Sequence, residues 1–128
     1  MEIHKLQYKL TSRSVNQVET TVEQDELEFQ TFEPQLFTRQ IKASDNLVDV
    51  AIPPIVLNYG MVMAHYTADD APNGIKAGDP APVTVRLNGG TQDFTYNKGF
   101  ALLPSNIVSL KVATSYDINK IEVQVRLG

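Results

Sequence analysis

Three alternating runs near the end of the chain constrain its fold more than any other part. They are VTVRL at 83–87, IVSLKVA at 107–113 and KIEVQVRL at 120–127. Successive side chains of a β-strand point to opposite faces, so this period of two predicts half-buried strands. Asn88-Gly89-Gly90 supplies the positive-φ residues that a tight hairpin turn needs. Residues 82–128 are therefore expected to form antiparallel strands around a shared core.

The same alternation recurs upstream, interrupted by turn residues. Strands are predicted over 3–10, 27–31, 36–42, 47–52, 55–58, 61–66, 93–96 and 100–103, with turns at 43–46, 97–99 and 115–119. In the first strand, Leu6, Tyr8 and Leu10 share one face, which we expect to be half-buried. In 27–31, Leu27 and Phe29 alternate with acidic and amide side chains on the outer face.

For residues 15–26 the sequence leaves two alternatives, a strand and a short helix. Val15, Val18 and Val22 have helical spacing, and Ser14 followed by Gln17 resembles a capping box. The β-branched run 20–22 loses side-chain freedom in a helix, which favours a strand.

The complete pattern predicts an all-β protein with roughly 8–12 short strands and little or no helix. Turn signals recur at roughly 8–12 residues, which is typical of two packed antiparallel sheets, so we expect a jelly-roll-like β-sandwich. At 128 residues the chain is predicted to form a single β-sandwich domain over 1–128.

Composition excludes several classes of function. The chain has no cysteine, which rules out disulfides, thiolate metal sites and a cysteine nucleophile. Its net charge is -4, split into -6 over residues 1–79 and +2 over residues 80–128. Nucleic-acid binding needs clustered Lys and Arg, so no nucleic-acid partner is expected. No apolar run reaches membrane-spanning length and no signal peptide is visible, so no membrane partner is expected.

The segment 67–82, TADDAPNGIKAGDPAP, is the predicted contact element. It is long for a connection inside a compact domain, where about four to six residues are usual. Loops of this length are often functional. The predicted interaction residues are Asp69, Asp70, Asn73, Lys76 and Asp79 in the loop, with Glu26 and Glu28 on the acidic strand.

No catalytic, cofactor or metal site is predicted, and the protein is expected not to be an enzyme. His65 stands in an apolar strand and His4 near the first residue, so a metal site would lack partners. The loop carboxylates could offer oxygen to calcium, but their spacing matches no EF-hand. The acidic residues of 23–28 alternate outward, unlike a catalytic pair that converges in a pocket.

Residues 82–128 resemble small all-β virion proteins of tailed bacteriophages. The resemblance rests on PVTVRLNGG, a short Phe/Tyr strand, GFALL, NIVSLKVA and a final strand that ends in RLG. It implies a structural protein of the virion, assembled in the host cytoplasm, such as a capsid decoration or cement, neck or tail component. The implied partners are copies of itself, as a homo-oligomer, and a capsid or tail protein.

A β-sandwich binding module for carbohydrate or another surface ligand is the alternative. Such modules present planar aromatic rings, and Phe94, Tyr96 and Tyr116 lie near predicted turns.

Overall fold

The computed structural model describes residues 1–16, 18–31, 34–54, 56–116 and 120–128. The chain divides into two compact units, Met1–Glu33 and Pro34–Gly128. Within the described residues, helix is confined to two three-residue 3₁₀ helices, Ala43–Asp45 and Ala71–Asn73. The all-β fold class is thereby confirmed, whereas a single domain over 1–128 stays a prediction.

The first unit is one antiparallel hairpin. Its strands are β1 (Glu2–Ser12) and β2 (Thr20–Thr31). The strand prediction for 15–26 is confirmed from Thr20 onward, because β2 continues without a break into the strand predicted at 27–31. Residues 15–16 and 18–19 are not in a strand. Gln17, on which the capping-box alternative depends, lies outside the described residues, as do Phe32 and Glu33.

In its described residues, the second unit contains eight strands. They are β3 (Gln35–Ile41), β4 (Val48–Val50), β5 (Gly60–Tyr66), β6 (Val83–Leu87), β7 (Asp93–Tyr96), β8 (Phe100–Leu103), β9 (Leu110–Ala113) and β10 (Ile121–Leu127).

These strands form two four-stranded antiparallel sheets, with the orders β3-β10-β5-β8 and β4-β9-β6-β7. Only β6 and β7 are consecutive neighbours in one sheet; every other connection crosses to the opposite sheet. Eight strands arranged in this way form the double Greek key of a jelly roll. The predicted sandwich is therefore confirmed for residues 34–128.

Some strand boundaries differ from the prediction. Residues 56–58 are not in a strand, and Ile55 lies outside the described residues. Val108 was expected to belong to the strand of Leu110 but is 78% exposed, because β9 begins only at Leu110. The predicted turn at 115–119 includes residues 117–119, which are also outside the described part of the chain.

The core lies between the two sheets and is filled by the alternate side chains that the sequence singled out. Strand β10 is central, since it pairs with both β3 and β5. Its inward side chains, Ile121, Val123 and Val125, are completely buried, whereas Glu122 and Gln124 between them are only half-buried. This alternation fixes the register, because a slip of one residue would exchange the two faces.

Two turns require unusual backbone angles. Asn88 and Gly89 both have positive φ, and the Gly90 amide donates to the Leu87 carbonyl at 3.0 Å, as in a type I′ turn. Gly99 has φ +64°, and a Cβ there would lie 2.3 Å from the carbonyl oxygen of Ala64. Only glycine fits that position, at the turn that leads into β8.

Candidate interaction surfaces

The predicted contact loop, 67–82, is ordered by its own carboxylates. Asp70 is 8% exposed, and its Oδ2 accepts a hydrogen bond from Asn73 Nδ2 at 2.7 Å and another from the hydroxyl of Tyr116. The backbones of Asp70 and Ile75 exchange two hydrogen bonds of 2.9 and 3.0 Å. Asp70 therefore anchors the loop to the residues after β9.

The pKa values of Asp70 and Tyr116 are shifted in opposite directions. The hydrogen bond from Tyr116, with a second from Asn73, lowers the pKa of the Asp70 carboxyl. The same bond, with desolvation, raises the pKa of Tyr116 to about 12. The Tyr116 ring also packs edge-on against Tyr66, with 5.1 Å between centroids. The contact holds the carboxylate ionised and the phenol protonated over a wide pH range.

The other predicted loop residues serve the loop backbone as well. Asp69 Oδ1 accepts from the amide of Ala77 at 2.8 Å, and Asp79 Oδ2 accepts from the amide of Lys76 at 2.9 Å. The Lys76 residue is exposed. No cluster of three or more His, Asp or Glu side chains suited to a metal ion occurs in the ranges that the structure describes. The role of these residues in contacts with other chains stays a prediction.

Glu26 and Glu28 lie on the more polar face of the hairpin, where they pair with Lys5 and Gln7. Lys5 Nζ lies 3.3 Å from Glu26 Oε1 and 3.2 Å from Glu28 Oε1, and Gln7 Nε2 donates to Glu26 Oε2 at 2.8 Å. The hydrogen bonds to Glu28 and Glu26 raise the pKa of Lys5, and those from Gln7 and Lys5 lower the pKa of Glu26. These ion pairs are exposed, so each contributes little to stability.

The opposite side of the hairpin carries most of its apolar side chains, together with Glu2, His4, Glu23 and Asp25. In the β1–β2 register, Leu6 lies opposite Leu27, His4 opposite Phe29, and Tyr8 and Leu10 opposite Asp25 and Glu23. Directly opposed residues share a face, so five apolar side chains lie on the same side of the hairpin. We call these five residues the hairpin face: Leu6, Tyr8, Leu10, Leu27 and Phe29.

The Leu6, Tyr8 and Leu10 face of the first strand was expected to be half-buried, which holds for Leu6, whereas Tyr8 and Leu10 are exposed. Leu10 is 56%, Leu27 44% and Tyr8 40% exposed. The alternation within each strand was visible in the sequence. What the sequence could not reveal is that β1 and β2 pair with each other and place both apolar sets on one side.

The outer faces of the two sandwich sheets differ in chemistry. On the β4-β9-β6-β7 sheet, Arg86 makes two hydrogen bonds to the Asp93 carboxylate, of 2.7 and 3.2 Å, and Lys111 Nζ lies 3.8 Å from Asp49 Oδ1. The next row pairs the hydroxyls of Thr84 and Thr95 at 2.9 Å. This face is a polar surface whose charges are largely matched.

The outer face of the β3-β10-β5-β8 sheet carries apolar side chains. Pairing places Leu36, Arg126, Met61 and Leu102 in one row across the four strands, with Met63 beside Phe100 in the next row. Leu36 is 55%, Leu102 54% and Phe100 48% exposed. We call these six residues the sheet face. Exposed apolar side chains that adjoin one another on a sheet surface are a candidate contact site.

The aromatic residues of the carbohydrate alternative do not form a shared platform. Tyr96 and Phe94 pair with Val83 and Val85 and so lie on the inward side of the edge strand β7, where Phe94 is 41% exposed. Tyr116 is half-buried against the core beside Tyr66.

Within the residues that the structure describes, neither histidine belongs to a group of three or more His, Asp or Glu side chains that could hold a metal ion. His65 lies on the outer side of β5, with Nε2 3.6 Å from Glu122 Oε1. His4 is half-buried, with Nε2 2.8 Å from Glu2 Oε2. Both contacts are local pairs within one sheet or strand.

No helix in the described ranges is long and apolar enough to cross a membrane. Comparison of the chain with models of known protein families, with curated proteins and with solved structures finds no match.

Proposed function

We propose that this chain is a non-enzymatic structural protein that assembles in multiple copies through protein–protein contacts. The proposed setting is a tailed-phage particle, where it would be a capsid decoration or cement, neck or tail component. The resemblance of residues 82–128 supports the phage setting. The exposed hairpin face supports assembly, and it is the observation that carries the proposal.

A two-stranded hairpin is at best marginally stable in water, because it has too little apolar surface to bury. Here both strands are long, 11 and 12 residues, and five of their apolar side chains lie on one face, with Ile3 on the other. On the other face, Lys5 and Gln7 pair with Glu26 and Glu28. Removing the hairpin face from water stabilises a complex by about 25 cal/mol per Å² of apolar area. A partner that covers this face therefore stabilises the hairpin as well as the contact.

The test is the association state of the full chain, measured by light scattering and native mass spectrometry over a range of concentrations. We expect the wild type to form oligomers and the double variant Leu10→Ser/Leu27→Ser to shift toward monomer. Burying a leucine completely is worth about 1.5–3 kcal/mol, so two leucines that are each about half exposed contribute about 2 kcal/mol. That value corresponds to a Kd about 30-fold weaker.

The matched control is Gln7→Ser/Gln24→Ser, which changes the opposite face of the same hairpin by the same number of residues. It should associate like the wild type. A wild type that stays monomeric at high concentration, or a leucine variant that associates as tightly as the control, would contradict the proposal.

A further inference from the structure

We propose that the hairpin face of one copy packs against the sheet face of a second copy of this chain. This inference rests on the proposed function and names the partner of its contact surface. It follows from three properties of the two surfaces: their dimensions, their apolar chemistry and their charge.

The dimensions of the two surfaces match. From Leu6 to Leu10 the hairpin face extends four residues along β1, which is about 14 Å at the rise of a strand. The row from Leu36 to Leu102 crosses three strand spacings, also about 14 Å. Two β faces can pack with their strands crossed at near right angles. In that arrangement Leu6, Tyr8 and Leu10 of the hairpin lie along the row of the sheet.

The apolar chemistry of the sheet face suits an aromatic and leucine-rich partner. Met61 and Met63 lie at its centre, and methionine side chains adapt to an incoming surface and make favourable contacts with aromatic rings. Leu102 and Phe100 flank them on β8. The tyrosine and leucines of the hairpin face supply the complementary large apolar groups.

Charge favours this pairing over other apolar partners. Residues 1–33 hold seven of the fifteen acidic side chains and three of the eleven Lys and Arg, so the whole net charge of -4 belongs to that unit and residues 34–128 are neutral. Asp25 and Glu23 lie on the same side of the hairpin, directly opposite Tyr8 and Leu10. Arg126 lies exposed in the centre of the sheet face, and it forms no ion pair with any residue that the structure describes. A carboxylate brought to Arg126 would complete that pair.

The outer face of the other sheet does not offer the same complement. Its arginine and lysine already face Asp93 and Asp49, and its next row is made of threonines. Docking an apolar hairpin there would remove water from charged groups without replacing their contacts, which is costly. The sheet face is therefore the preferred partner surface.

The absence of cysteine permits a direct test by disulfide trapping. Two full-length variants, Leu10→Cys and Leu102→Cys, are mixed and oxidised. Each chain carries one thiol, so any disulfide joins two copies. Both positions are more than half exposed, so both chains should fold. The matched controls are Gln7→Cys on the opposite hairpin face and Lys111→Cys on the other sheet.

In the two control mixtures, Gln7→Cys replaces Leu10→Cys or Lys111→Cys replaces Leu102→Cys. We expect the Leu10→Cys/Leu102→Cys mixture to give at least about tenfold more mixed dimer than either control mixture, which is the selectivity of a specific contact. Equal trapping by Lys111→Cys, or preferred pairing of Leu10→Cys with itself, would overturn the inference. In both cases oligomers seen by light scattering would leave the proposed function standing. Chains that stay monomeric by light scattering would overturn both.

A charge exchange tests the same contact without a covalent link. Arg126→Glu and Asp25→Arg should each weaken association at least about tenfold, since like charges brought together across an interface are strongly unfavourable. The two changes combined in one chain should restore much of the wild-type affinity. Losses that simply add would show that Asp25 and Arg126 do not meet and would overturn the proposed docking.

Discussion

Replacing Val123 with aspartate tests the register on which the whole sandwich depends. Val123 is completely buried on β10, opposite Ala64 of β5. Losing the valine costs about 1.5 kcal/mol of apolar burial. Burying the new carboxyl in neutral form at pH 7 means raising its pKa by about three units, or about 4 kcal/mol. Its unsatisfied polar atoms cost about 2 kcal/mol more.

The total of about 7.5 kcal/mol is comparable with the stability of a typical domain, about 5–15 kcal/mol. We therefore expect Val123→Asp to yield little folded protein. The assay is denaturant unfolding followed by tyrosine circular dichroism, because the chain has five tyrosines and no tryptophan. The matched control, Gln124→Asp, introduces the same group on the outer face and should cost no more than about 1 kcal/mol. If Gln124→Asp unfolds the protein and Val123→Asp does not, the register of β10 is shifted by one residue and the reasoning is refuted.

Three further predictions concern the loops and the contact. Gly99→Ala should lower the free energy of unfolding by about 2 kcal/mol or more, since it combines a positive φ with a backbone clash; an unchanged unfolding midpoint would contradict the turn geometry. The raised pKa of Tyr116 means that the contribution of this residue to the stability of the fold is present below pH 10 and is lost between pH 10 and about 12. The lowered pKa of Asp70 means that the contribution of its carboxylate to stability is lost below about pH 4. Tyr116→Phe should flatten both limbs of the stability–pH curve, and identical curves would show that the bond to Asp70 contributes nothing. Raising the salt concentration from 0.05 to 0.5 M should weaken association several-fold if the acidic hairpin is attracted to Arg126, because screening shortens the Debye length from about 14 to about 4 Å; indifference to salt would argue for a purely apolar contact.

The local part of the fold could be predicted from the sequence because alternation is a local property. Ile121, Val123 and Val125 identify both a strand and its buried side without knowledge of any partner. Strand order could not be predicted in this way. β10 lies between β3 and β5, whose residues stand far earlier in the chain, and nothing in its own sequence selects those neighbours.

Only some features of the candidate contact surfaces could be predicted from the sequence. The aspartates of the 67–82 loop suggest an outward-facing element, because carboxylates are usually solvated. In the structure they accept hydrogen bonds from loop amides and from Asn73 and Tyr116, a choice that depends on turn geometry. The hairpin face and the sheet face arise from pairing between strands. Leu6 meets Leu27, and Met61 meets Leu102, only once the register is known.

The central position of β10 has a consequence for the time course of folding. Ile41 pairs with Ile121 and Gln35 with Leu127, which are separated by 80 and 92 residues along the chain. Pairs so distant must close very large loops before they gain any contact energy, and folds dominated by such pairs take about milliseconds to seconds to form. A hairpin, whose contacts are local, forms in about 1–10 μs. During refolding the hairpin strands can therefore pair before the sheets are complete, with their three leucines at least partly exposed. We expect the yield of refolded protein to fall steeply with chain concentration, so that slow dilution at low concentration recovers the most native protein.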